Sequence, residues 1–474
     1  MEKIIGRKDE ISLLNTLKNS TKSEFIAVYG RRRVGKTFLI RNVFDEPFSF
    51  QLTGTANVNL KQQLMNFHTA FVKINPEHAP KAAPKSWFDA FDRLSLFLEK
   101  QSAKRKIIFL DQLPWLDTPQ SEFVAALEHF WNSWASARQD ILLIVCGSAA
   151  SWIINELINN RGGLHNRLTE RIVLHPFSLM ETEAFLQSKG ASYDRYQLLE
   201  LYMAIGGIPF YLENVQVNRS VAQNIDRMFF TEGGLLTMEY ANLYRSLFTQ
   251  YDKHTLIVET LSQKAKGLTR KELLASTKLS DGGSTSSILE ELEQSGFIKR
   301  YLPFGKGKRD ALYQLIDPFT LYFLTFVKDT KAEGQGAWLG QFDSPKWKAW
   351  SGYAFEFICR YHVEAIKKHL GISGIYAEIS TWRSQRTSGG AQIDMIIDRK
   401  DRVINICEIK FSEKSYTITK AYAENLKNKL LVFKEETKTN KTLFLTMITA
   451  HGLNTNVYST QLVKDALDMN ILFE

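Results

Sequence analysis

Short apolar runs alternate with amphipathic helical patterns over residues 1–178. Runs long enough for one buried strand each occur at 25–29, 48–52, 107–110, 141–146 and 172–174. Between them, apolar residues recur at helical spacing, as in 86–99 and 121–137. Strands that alternate with helices in this way are typical of a parallel sheet with crossover helices, so the pattern predicts an α/β fold.

The rest of the chain divides by pattern into four segments. Residues 179–250 predict a helical lid beside the preceding α/β segment, with a break at 206–209. Residues 251–327 predict three helices and a hairpin, which is the order of a winged helix-turn-helix. Residues 328–348 are polar and contain glycine and proline, as linkers do. Residues 349–474 predict a helix, strands, a second helix and a further strand, which is again an α/β pattern.

The predicted winged helix has two interpretations that the sequence leaves open. Its wing carries cations that suit contact with nucleic-acid phosphates, namely Lys299, Arg300, Lys306, Lys308 and Arg309. Alternatively, the segment only packs between the domains on either side of it.

A complete phosphate-binding loop follows the first predicted strand. Residues 30–37 match G-x-x-x-x-G-K-[ST] at every fixed position, between a strand and a helix. Glycines let backbone N–H groups point at phosphate oxygens, and the N-terminus of the following helix adds partial positive charge. Lys36 is placed to reach the β- and γ-phosphates, and the Thr37 hydroxyl to bind Mg²⁺. We therefore expect ATP and Mg²⁺ as cofactors, held by Gly30, Arg31, Arg32, Arg33, Val34, Gly35, Lys36, Thr37 and Phe38.

Asp111 ends an apolar strand pattern and supplies the second magnesium anchor that such a loop needs. The next residue is Gln112, where most hydrolysing ATPases of this type carry a glutamate that polarises the attacking water. An amide keeps the shape and hydrogen bonding of glutamate but cannot accept the proton. We therefore expect ATP to bind and to be hydrolysed slowly. Two origins of Gln112 remain open: a natural nucleotide-gated switch, or a substitution that traps bound ATP.

Two further positions complete the predicted nucleotide site. Ser148 follows the run 141–146 and is expected to sense the γ-phosphate, between the loop and Asp111. Arg167 or Arg171 is a candidate arginine finger for the site of a neighbouring subunit, which would imply a homo-oligomer. The alternative is that both are surface or ion-paired arginines.

A second group of charged residues lies near the C-terminus. Residues 392–397 and 403–410 predict two strands joined by a charged turn. Residues two apart on a strand share a face, so Glu408 and Lys410 project together and the hairpin can place Asp394 opposite them. Two carboxylates suit Mg²⁺, and a lysine can orient the water that attacks a phosphodiester. The pattern predicts a metal-dependent nuclease site; the alternative is a charged hairpin with solvated acids.

Several of these motifs resemble those of known ATPases. Ile5-Gly6-Arg7-Lys8-Asp9-Glu10 is similar to the adenine-side segment of AAA+ and STAND-type ATPases, and Gly206-Gly207-Ile208-Pro209 to the motif that closes over their nucleotide. The chain as a whole resembles the archaeal and bacterial ATPase family with a C-terminal nuclease-like DUF234 domain. The resemblance implies that Gly6, Arg7 and Pro209 contact the nucleotide. Members typically carry Asp-Glu where this sequence has Asp111-Gln112.

The C-terminal pattern resembles that of PD-(D/E)XK nucleases, with Asp394 as the second motif and Glu408-Ile409-Lys410 as the third. This resemblance implies that Glu356, on the preceding helix, is an additional catalytic acid. The function implied is an ATP-binding switch or motor coupled to a Mg²⁺-dependent DNA nuclease. The alternative is a STAND-like signalling or scaffold ATPase whose C-terminal domain binds nucleic acid or protein without cleaving it. DNA and RNA are not distinguished.

Composition adds an expected compartment and partner class. Cys146, Cys359 and Cys407 are far apart and form no C-x-x-C pair, which predicts reduced, buried thiols rather than a disulfide framework or a zinc site. No run resembles a signal peptide or a membrane span, so we expect a cytoplasmic protein without a membrane partner. The net charge of +9 suits a polyanionic partner such as nucleic acid, and equally suits a solubilising surface.

Overall fold

The computed structural model describes residues 3–148, 150–159, 166–330, 336–342, 344–386 and 388–474. The chain divides into two compact units, Met1–Pro176 and Phe177–Glu474. The linker predicted for 328–348 lies partly outside the described residues, at 331–335 and 343. None of the described helices has the length and apolar character needed to cross a membrane.

The first unit alternates strands and helices, as the sequence predicts. Its strands are β1 (Glu24–Tyr29), β2 (Phe50–Thr53), β3 (Lys106–Asp111), β4 (Ile141–Gly147) and β5 (Glu170–Val173). Its helices are α1 (Lys8–Lys18), α2 (Lys36–Val43), α3 (Leu60–Ile74), α4 (Trp87–Glu99), α5 (Leu113–Leu116), α6 (Phe123–Ser133) and α7 (Ala150–Trp152). Every predicted strand of this region is present, with small shifts at its ends, so the α/β prediction is confirmed.

The strands of the first unit form one parallel, five-stranded sheet in the order β2-β3-β4-β1-β5. One apolar core packs this sheet against α3, α4 and α6, with Phe67, Trp87 and Phe123 buried in it. Because parallel strands point the same way, their carboxyl ends meet at one edge of the sheet, where α/β proteins bind ligands. The loops after β1, β3 and β4 therefore converge there.

The second unit begins with helices and continues with two sheets. Its helices are α8 (Leu179–Ser188), α9 (Arg195–Ile205), α10 (Pro209–Glu213), α11 (Val221–Phe229), α12 (Glu239–Leu247), α13 (Tyr251–Ser262), α14 (Arg270–Thr277), α15 (Gly283–Gln294), α16 (Pro318–Tyr322), α17 (Pro345–Tyr361), α18 (Val363–His369), α19 (Lys420–Thr437) and α20 (Val457–Leu462). Its strands are β6 (Leu268–Thr269), β7 (Ile298–Tyr301), β8 (Leu312–Leu315), β9 (Ala377–Arg383), β10 (Gln392–Arg399), β11 (Val403–Lys410), β12 (Thr442–Thr449) and β13 (Val463–Asp468).

Residues 251–315 form three helices and a small antiparallel sheet, which we call the α13–β8 module. Its strand order is β6-β8-β7. A capping box begins its second helix: Thr269 and Glu272 exchange side-chain and backbone hydrogen bonds of 2.8 and 3.3 Å. Strand β6 was not predicted from the sequence, because two residues are too few to show an alternating pattern.

The C-terminal sheet is five-stranded and mixed, in the order β13-β12-β11-β10-β9. Strands β9, β10 and β11 form an antiparallel meander, whereas β12 and β13 run parallel to β11 and to each other. Helix α17 precedes the meander and α19 connects it to β12. Helix α17 begins at Pro345, ahead of the predicted domain start at 349, because the Ser344 hydroxyl caps it by accepting from the Trp347 N–H at 3.2 Å.

The described part of the predicted linker is packed onto the second unit. Trp338 is fully buried, and its ring lies 5.2 Å from Tyr322 and 5.8 Å from Phe230. The buried carboxylate of Asp226 accepts hydrogen bonds from the backbone of Gly336 and of Trp338, both at 2.8 Å. One carboxylate therefore holds the segment that carries this tryptophan.

Replacing Asp226 with alanine should destabilise the second unit, because two backbone N–H groups lose their acceptor. Each buried unsatisfied group costs about 1–3 kcal/mol, so we expect Asp226→Ala to lower the melting temperature by roughly 5 °C or more. The measurement is thermal unfolding followed by dye fluorescence. Glu232→Ala, at an exposed acid just beyond α11, is the control and should leave the melting temperature unchanged. Equal behaviour of the two variants would contradict the prediction.

Candidate nucleotide site and C-terminal carboxylate site

The phosphate-binding loop joins β1 to α2 at the carboxyl edge of the parallel sheet. Gly30 and Gly35 both adopt positive φ, of 139° and 91°. A β-carbon at Gly30 would lie 2.3 Å from the Leu174 carbonyl oxygen, whereas one at Gly35 would meet nothing within 4 Å. Gly30 thus allows the loop to approach the chain beyond β5. Gly35 leaves open the space over the start of α2, where a phosphate would sit.

Lys36 is buried and is held by the loop itself. Its ammonium group donates to the carbonyl oxygens of Gly30, at 2.8 Å, and Arg31, at 2.7 Å. Burial lowers the pKa of Lys36 to about 8, although Cys146 and Asp111 act in the opposite direction. Within the part of the chain that the structure describes, Lys36 forms no ion pair with a carboxylate. A buried cation without an acidic partner is suited to an anionic ligand.

Thr37 and Asp111 lie in contact, as the predicted magnesium site requires. The Thr37 hydroxyl donates to the Asp111 carboxylate at 2.9 and 3.1 Å. One oxygen of this carboxylate also accepts from the backbone N–H of Gln112, at 2.9 Å. A hydroxyl and a carboxylate are the oxygen ligands that Mg²⁺ prefers. The donor set on the two neighbouring elements therefore fits this ion.

Gln112 follows Asp111 at the very end of β3. Its backbone adopts the left-handed conformation, with φ 52°, and its carbonyl accepts from Trp115 N–H as α5 begins. A left-handed turn at a residue other than glycine is uncommon and often occurs at functional sites. The turn follows β3, so Gln112 lies at the same edge of the sheet as the phosphate-binding loop.

Gly6 and Arg7 enter the site from the N-terminal side of the loop. Both have positive φ, and the Arg7 guanidinium donates to the carbonyl of Val34 in the loop at 3.2 Å. Arg7 also lies 3.7 Å from Glu10 and is almost fully buried. The segment that resembles the adenine side of known ATPases thus touches the phosphate-binding loop directly.

The remaining predicted residues of the nucleotide site have different positions. Ser148 directly follows β4, and Phe38 is 39% exposed on α2. Arg167 and Arg171 are exposed, Arg171 on β5. Pro209 belongs to the second unit, where it begins α10.

Cys146 is a site residue that was not predicted from the sequence. Its buried thiol lies beside Asp111 and Thr37, and burial followed by the Asp111 charge raises its pKa well above the usual range. The signal available in the sequence was its position one residue before the end of β4, at the carboxyl edge where the site forms. The thiol lies beside the pair that is expected to hold magnesium.

Asp394 and Glu408 face each other across β10 and β11. The strands pair Met395 with Cys407, which puts these two acids next in register. Both are buried, at 8% and 1% exposure. Asp394 accepts from the backbone N–H of Ile409 at 3.1 Å, and the Lys410 ammonium lies 4.0 Å from it. The strand pairing thus brings together the three residues that the sequence predicted.

The Glu408 carboxylate is surrounded by donors. It accepts from Lys410 at 2.8 Å, from Lys429 at 2.6 and 2.8 Å, and from the Tyr422 hydroxyl at 2.7 Å. Burial raises the pKa of Glu408, but Lys410 and Lys429 outweigh burial, so that the pKa lies below its usual range. Glu408 is therefore an ionised carboxylate whose oxygens are engaged by two lysines.

Lys429 and Tyr422 are partners of Glu408 that the strand pattern alone did not predict. They lie seven residues, or about two turns, apart on α19. Both side chains are therefore on the same face of the helix, and both contact Glu408. The spacing was visible in the sequence, but the partner strand was not.

Glu356 of α17 completes this group electrostatically. Burial, followed by the charge of Asp394, raises the pKa of Glu356 to about 7. Burial, followed by the charge of Glu408, also raises the pKa of Asp394. A cation bound between neighbouring carboxylates stabilises their charged forms and reduces their repulsion. The chemistry of this group of acids therefore fits Mg²⁺.

The described arrangement differs from a formed metal centre. Within the described ranges, no three His, Cys, Asp or Glu side chains are placed to hold a metal ion together. Glu408 would have to release a lysine before it could act as a ligand.

The wing of the α13–β8 module packs on the C-terminal sheet. The backbone N–H of Phe304 donates to the Thr381 carbonyl on β9 at 2.9 Å, and the Phe304 ring lies 5.1 Å from Phe433 on α19. Of the two interpretations of this module, these contacts favour packing for the apolar part of the wing. The exposed cations Lys308 and Arg309 follow it.

Comparison with known proteins identifies the N-terminal region. Residues 4–215 match a family model described as an ATPase domain predominantly from Archaea. The chain is 22% identical over 436 residues to the uncharacterized protein MJECL04 of Methanocaldococcus jannaschii, covering 90% of this chain and 92% of that protein. It is 44% identical over 41 residues to the uncharacterized ATP-binding protein MJ0423 of the same organism, covering 9% and 70%. Residues 4–215 thus carry an ATPase domain.

Two solved structures illustrate the structural likeness. The Walker-type ATPase PABY2304 of Pyrococcus abyssi has a TM-score of 0.49 and 17% identity, covering 68% of this chain and 96% of that chain. The ORC2 protein of Aeropyrum pernix, in ADPNP and ADP complexes, has a TM-score of 0.40 and 15% identity, covering 68% and 93%.

The raised pKa of Glu356 predicts a pH-dependent stability. An unfolded glutamate titrates near pH 4.3, whereas Glu356 titrates at about 7 in the folded protein. The folded state therefore binds this proton more tightly, and the charge destabilises it increasingly as pH rises from about 4.3 through 7. Glu356→Gln should raise the melting temperature by roughly 2–5 °C at pH 8 and not at pH 4. Glu424→Gln, at an exposed acid on α19, is the control; a pH-independent difference would contradict the assignment.

Proposed function

We propose that this chain is an ATP-binding switch or motor that controls a Mg²⁺-dependent nuclease site in its C-terminal domain. The observation that carries the proposal is the buried Lys36 ammonium beside the Thr37–Asp111 pair, within an ATPase domain. The charged group around Glu408 is a second, separate site. Two sites of different chemistry in one chain suit a protein in which one regulates the other.

ATP would be held by residues that already lie at one edge of the parallel sheet. Lys36 would exchange its two carbonyl partners for phosphate oxygens. Because the ammonium group is buried, its attraction to phosphate would be weakly screened by water. Thr37 and Asp111 are the oxygen donors for Mg²⁺, which neutralises phosphate charge when bound. Arg7, through Val34, holds the loop from its adenine side. Phe38, exposed on α2, is available to contact the nucleotide.

Hydrolysis is the step that Gln112 limits. Gln112 follows Asp111 through a left-handed turn, and its backbone N–H donates to the Asp111 carboxylate at 2.9 Å; a glutamate at this position would take a proton from the attacking water. The amide can orient that water but cannot accept its proton. Ser148 and an arginine from a second copy, Arg167 or Arg171, are proposed to contact the γ-phosphate. ATP would thus persist on the protein and act as a long-lived signal.

Replacing Gln112 with glutamate should accelerate ATP turnover by about 10²–10⁴-fold, the usual contribution of a general base. The measurement is steady-state phosphate release by the full chain with Mg²⁺. Lys36→Ala in the Gln112→Glu background is the control and should abolish the gain. An unchanged rate in Gln112→Glu would mean that another group, such as an arginine from a second copy, limits turnover.

The C-terminal residues have the chemistry of phosphodiester hydrolysis. Asp394, Glu408 and Glu356 would hold Mg²⁺, which lowers the pKa of a bound water and neutralises the scissile phosphate. Lys410 shares its ammonium between Glu408 and Asp394, so it can position a water beside both. Lys429 would move from Glu408 to phosphate when the site is loaded. The α17, β9–β11, α19, β12 order supports this proposal, because it is the order of elements in the nucleases that the sequence resembles.

Asp394→Asn and Glu408→Gln should each lower nuclease activity at least 100-fold, because each removes a charged oxygen ligand. The measurement is cleavage of supercoiled plasmid and of single-stranded DNA and RNA with Mg²⁺ or Mn²⁺, with and without ATP. Asp398→Asn is the control, since Asp398 lies on the same strand but pairs with Lys441. Absence of cleavage by the unsubstituted chain under every condition would contradict the nuclease proposal.

A second candidate is a STAND-like signalling or scaffold ATPase whose C-terminal domain binds nucleic acid or protein without cutting it. The hydrogen bonds of Glu408 to Lys410, Lys429 and Tyr422 favour this second function. They neutralise the carboxylate, so a metal ion would stabilise it less. The two functions differ in one measurement. A nuclease site binds Mn²⁺ in a manner that depends on Asp394, whereas a binding module does not.

A further inference from the structure

A cavity of about 280 Å³ lies between the α13–β8 module and the C-terminal sheet, both in the second unit. Glu356 and Asp394 line it from the C-terminal domain, and Lys266 and Tyr301 from the module. The acids of the proposed nuclease site thus open into a space whose other wall is not part of the nuclease-like domain. Whatever binds there contacts both parts of the chain.

Lys266 is presented to this cavity by a firmly held loop between α13 and β6. The carbonyl oxygen of Ala265 accepts from Gln314 at 2.6 Å and from the Tyr353 hydroxyl of α17. The carbonyl oxygen of Lys266 accepts from the Tyr301 hydroxyl. All these bonds are accepted by backbone oxygens, so the Lys266 side chain does not take part in holding the loop. A charged group held in this way is preorganised for a ligand.

The cavity brings cations together with Glu356 and Asp394. Its basic residues are Lys266, Lys306, Arg360 and Arg383, and its acids are Glu272, Glu356 and Asp394. Glu272 is engaged in the capping box with Thr269. Lys266 and Arg383 form no ion pair with a carboxylate of the described residues. Desolvation and then the charge of Arg383 lower the pKa of Lys266, while Glu356 and Asp394 act in the opposite direction.

An anion between Lys266 and Arg383 would relieve their mutual repulsion. The cavity volume lies just below the ~300–1,000 Å³ typical of small-ligand sites, so the cavity admits a group of about nucleotide size and excludes a duplex. Aromatic side chains also line it, namely Tyr301, Phe304, Tyr353 and Trp382. Cations interleaved with aromatic rings are typical of surfaces that bind single nucleic-acid strands.

We propose that Lys266 and Arg383 bind a phosphate of an unpaired nucleic-acid strand in this cavity, beside Glu356 and Asp394. The α13–β8 module would then complete the C-terminal site and select strand ends or unpaired nucleotides over duplex. The choice of nucleic acid as ligand rests on the proposed nuclease function, but the binding itself requires no cleavage. Lys266 and Arg383 are both exposed, so their replacement leaves the core untouched.

The test is the binding of a short, 5′-phosphorylated single-stranded oligonucleotide, labelled at its 3′ end, to the full chain in EDTA by fluorescence anisotropy. DNA and RNA versions and a blunt hairpin duplex form the other arms. Lys266→Ala and Arg383→Ala should each weaken binding of the single strand about 10–100-fold, the range for a charged hydrogen bond. Lys264→Ala, at an exposed lysine of the same loop outside the cavity, should bind like the unsubstituted chain.

Two outcomes would overturn the inference: unchanged single-strand binding in both variants, or an equal loss of binding to duplex and single strand. The proposed nuclease function fails separately. If the chain cuts nothing in Mg²⁺ while single-strand binding still depends on Lys266 and Arg383, the cavity stands and the nuclease does not. If it cuts normally while both variants bind and cut like the unsubstituted chain, the nuclease stands and the cavity does not.

Discussion

Buried charge must be compensated, and this constraint shapes both candidate sites. Lys36 is buried in the first unit without an ion pair to a carboxylate of the described residues, and the carbonyls of Gly30 and Arg31 solvate it. Glu408 is buried in the second unit, and Lys410 and Lys429 neutralise it. The charge of Lys36 is only partly compensated, because carbonyl dipoles are weaker partners than an opposite charge. The charge of Glu408 is almost fully compensated by the two lysines. An anionic ligand would therefore improve the environment of Lys36, whereas a cation at Glu408 would have to compete with the lysines.

The two candidate sites differ in how readily each could accept its ligand. A partly compensated ammonium favours the entry of phosphate, so the nucleotide site is ready for its ligand. A compensated carboxylate must exchange partners before it can bind a cation, so the proposed C-terminal site would bind a metal only after Glu408 releases a lysine. Glu356 and Asp394 hold their charge less easily, since burial and then the charge of a neighbouring carboxylate raise the pKa of each. A chain with one ready and one restrained site is suited to regulation.

Much of this could be predicted from the sequence because the signals are local. Strand–loop–helix context and the spacing of Gly30, Gly35 and Lys36 indicated the phosphate-binding loop, and the loop adopts the expected connection between β1 and α2. Strand periodicity put Glu408 and Lys410 on one face, where they are bonded at 2.8 Å. Cys146, Tyr422 and Lys266 were not predicted as site residues. Each acts through a partner on a different element, and no local pattern encodes which elements become neighbours.

The sequence by itself determined the alternation of strands and helices, the glycine-containing loop between β1 and α2, and the amide at position 112, since each depends on residues close in the chain. Only the tertiary structure decided that Lys429 meets Glu408, that Trp338 packs in the predicted linker, and that Lys266 joins a cavity with Glu356. These contacts depend on strand register and on the packing of distant segments. The free energy that selects them comes from burial and charge compensation summed over the whole unit, which a short stretch of sequence does not contain.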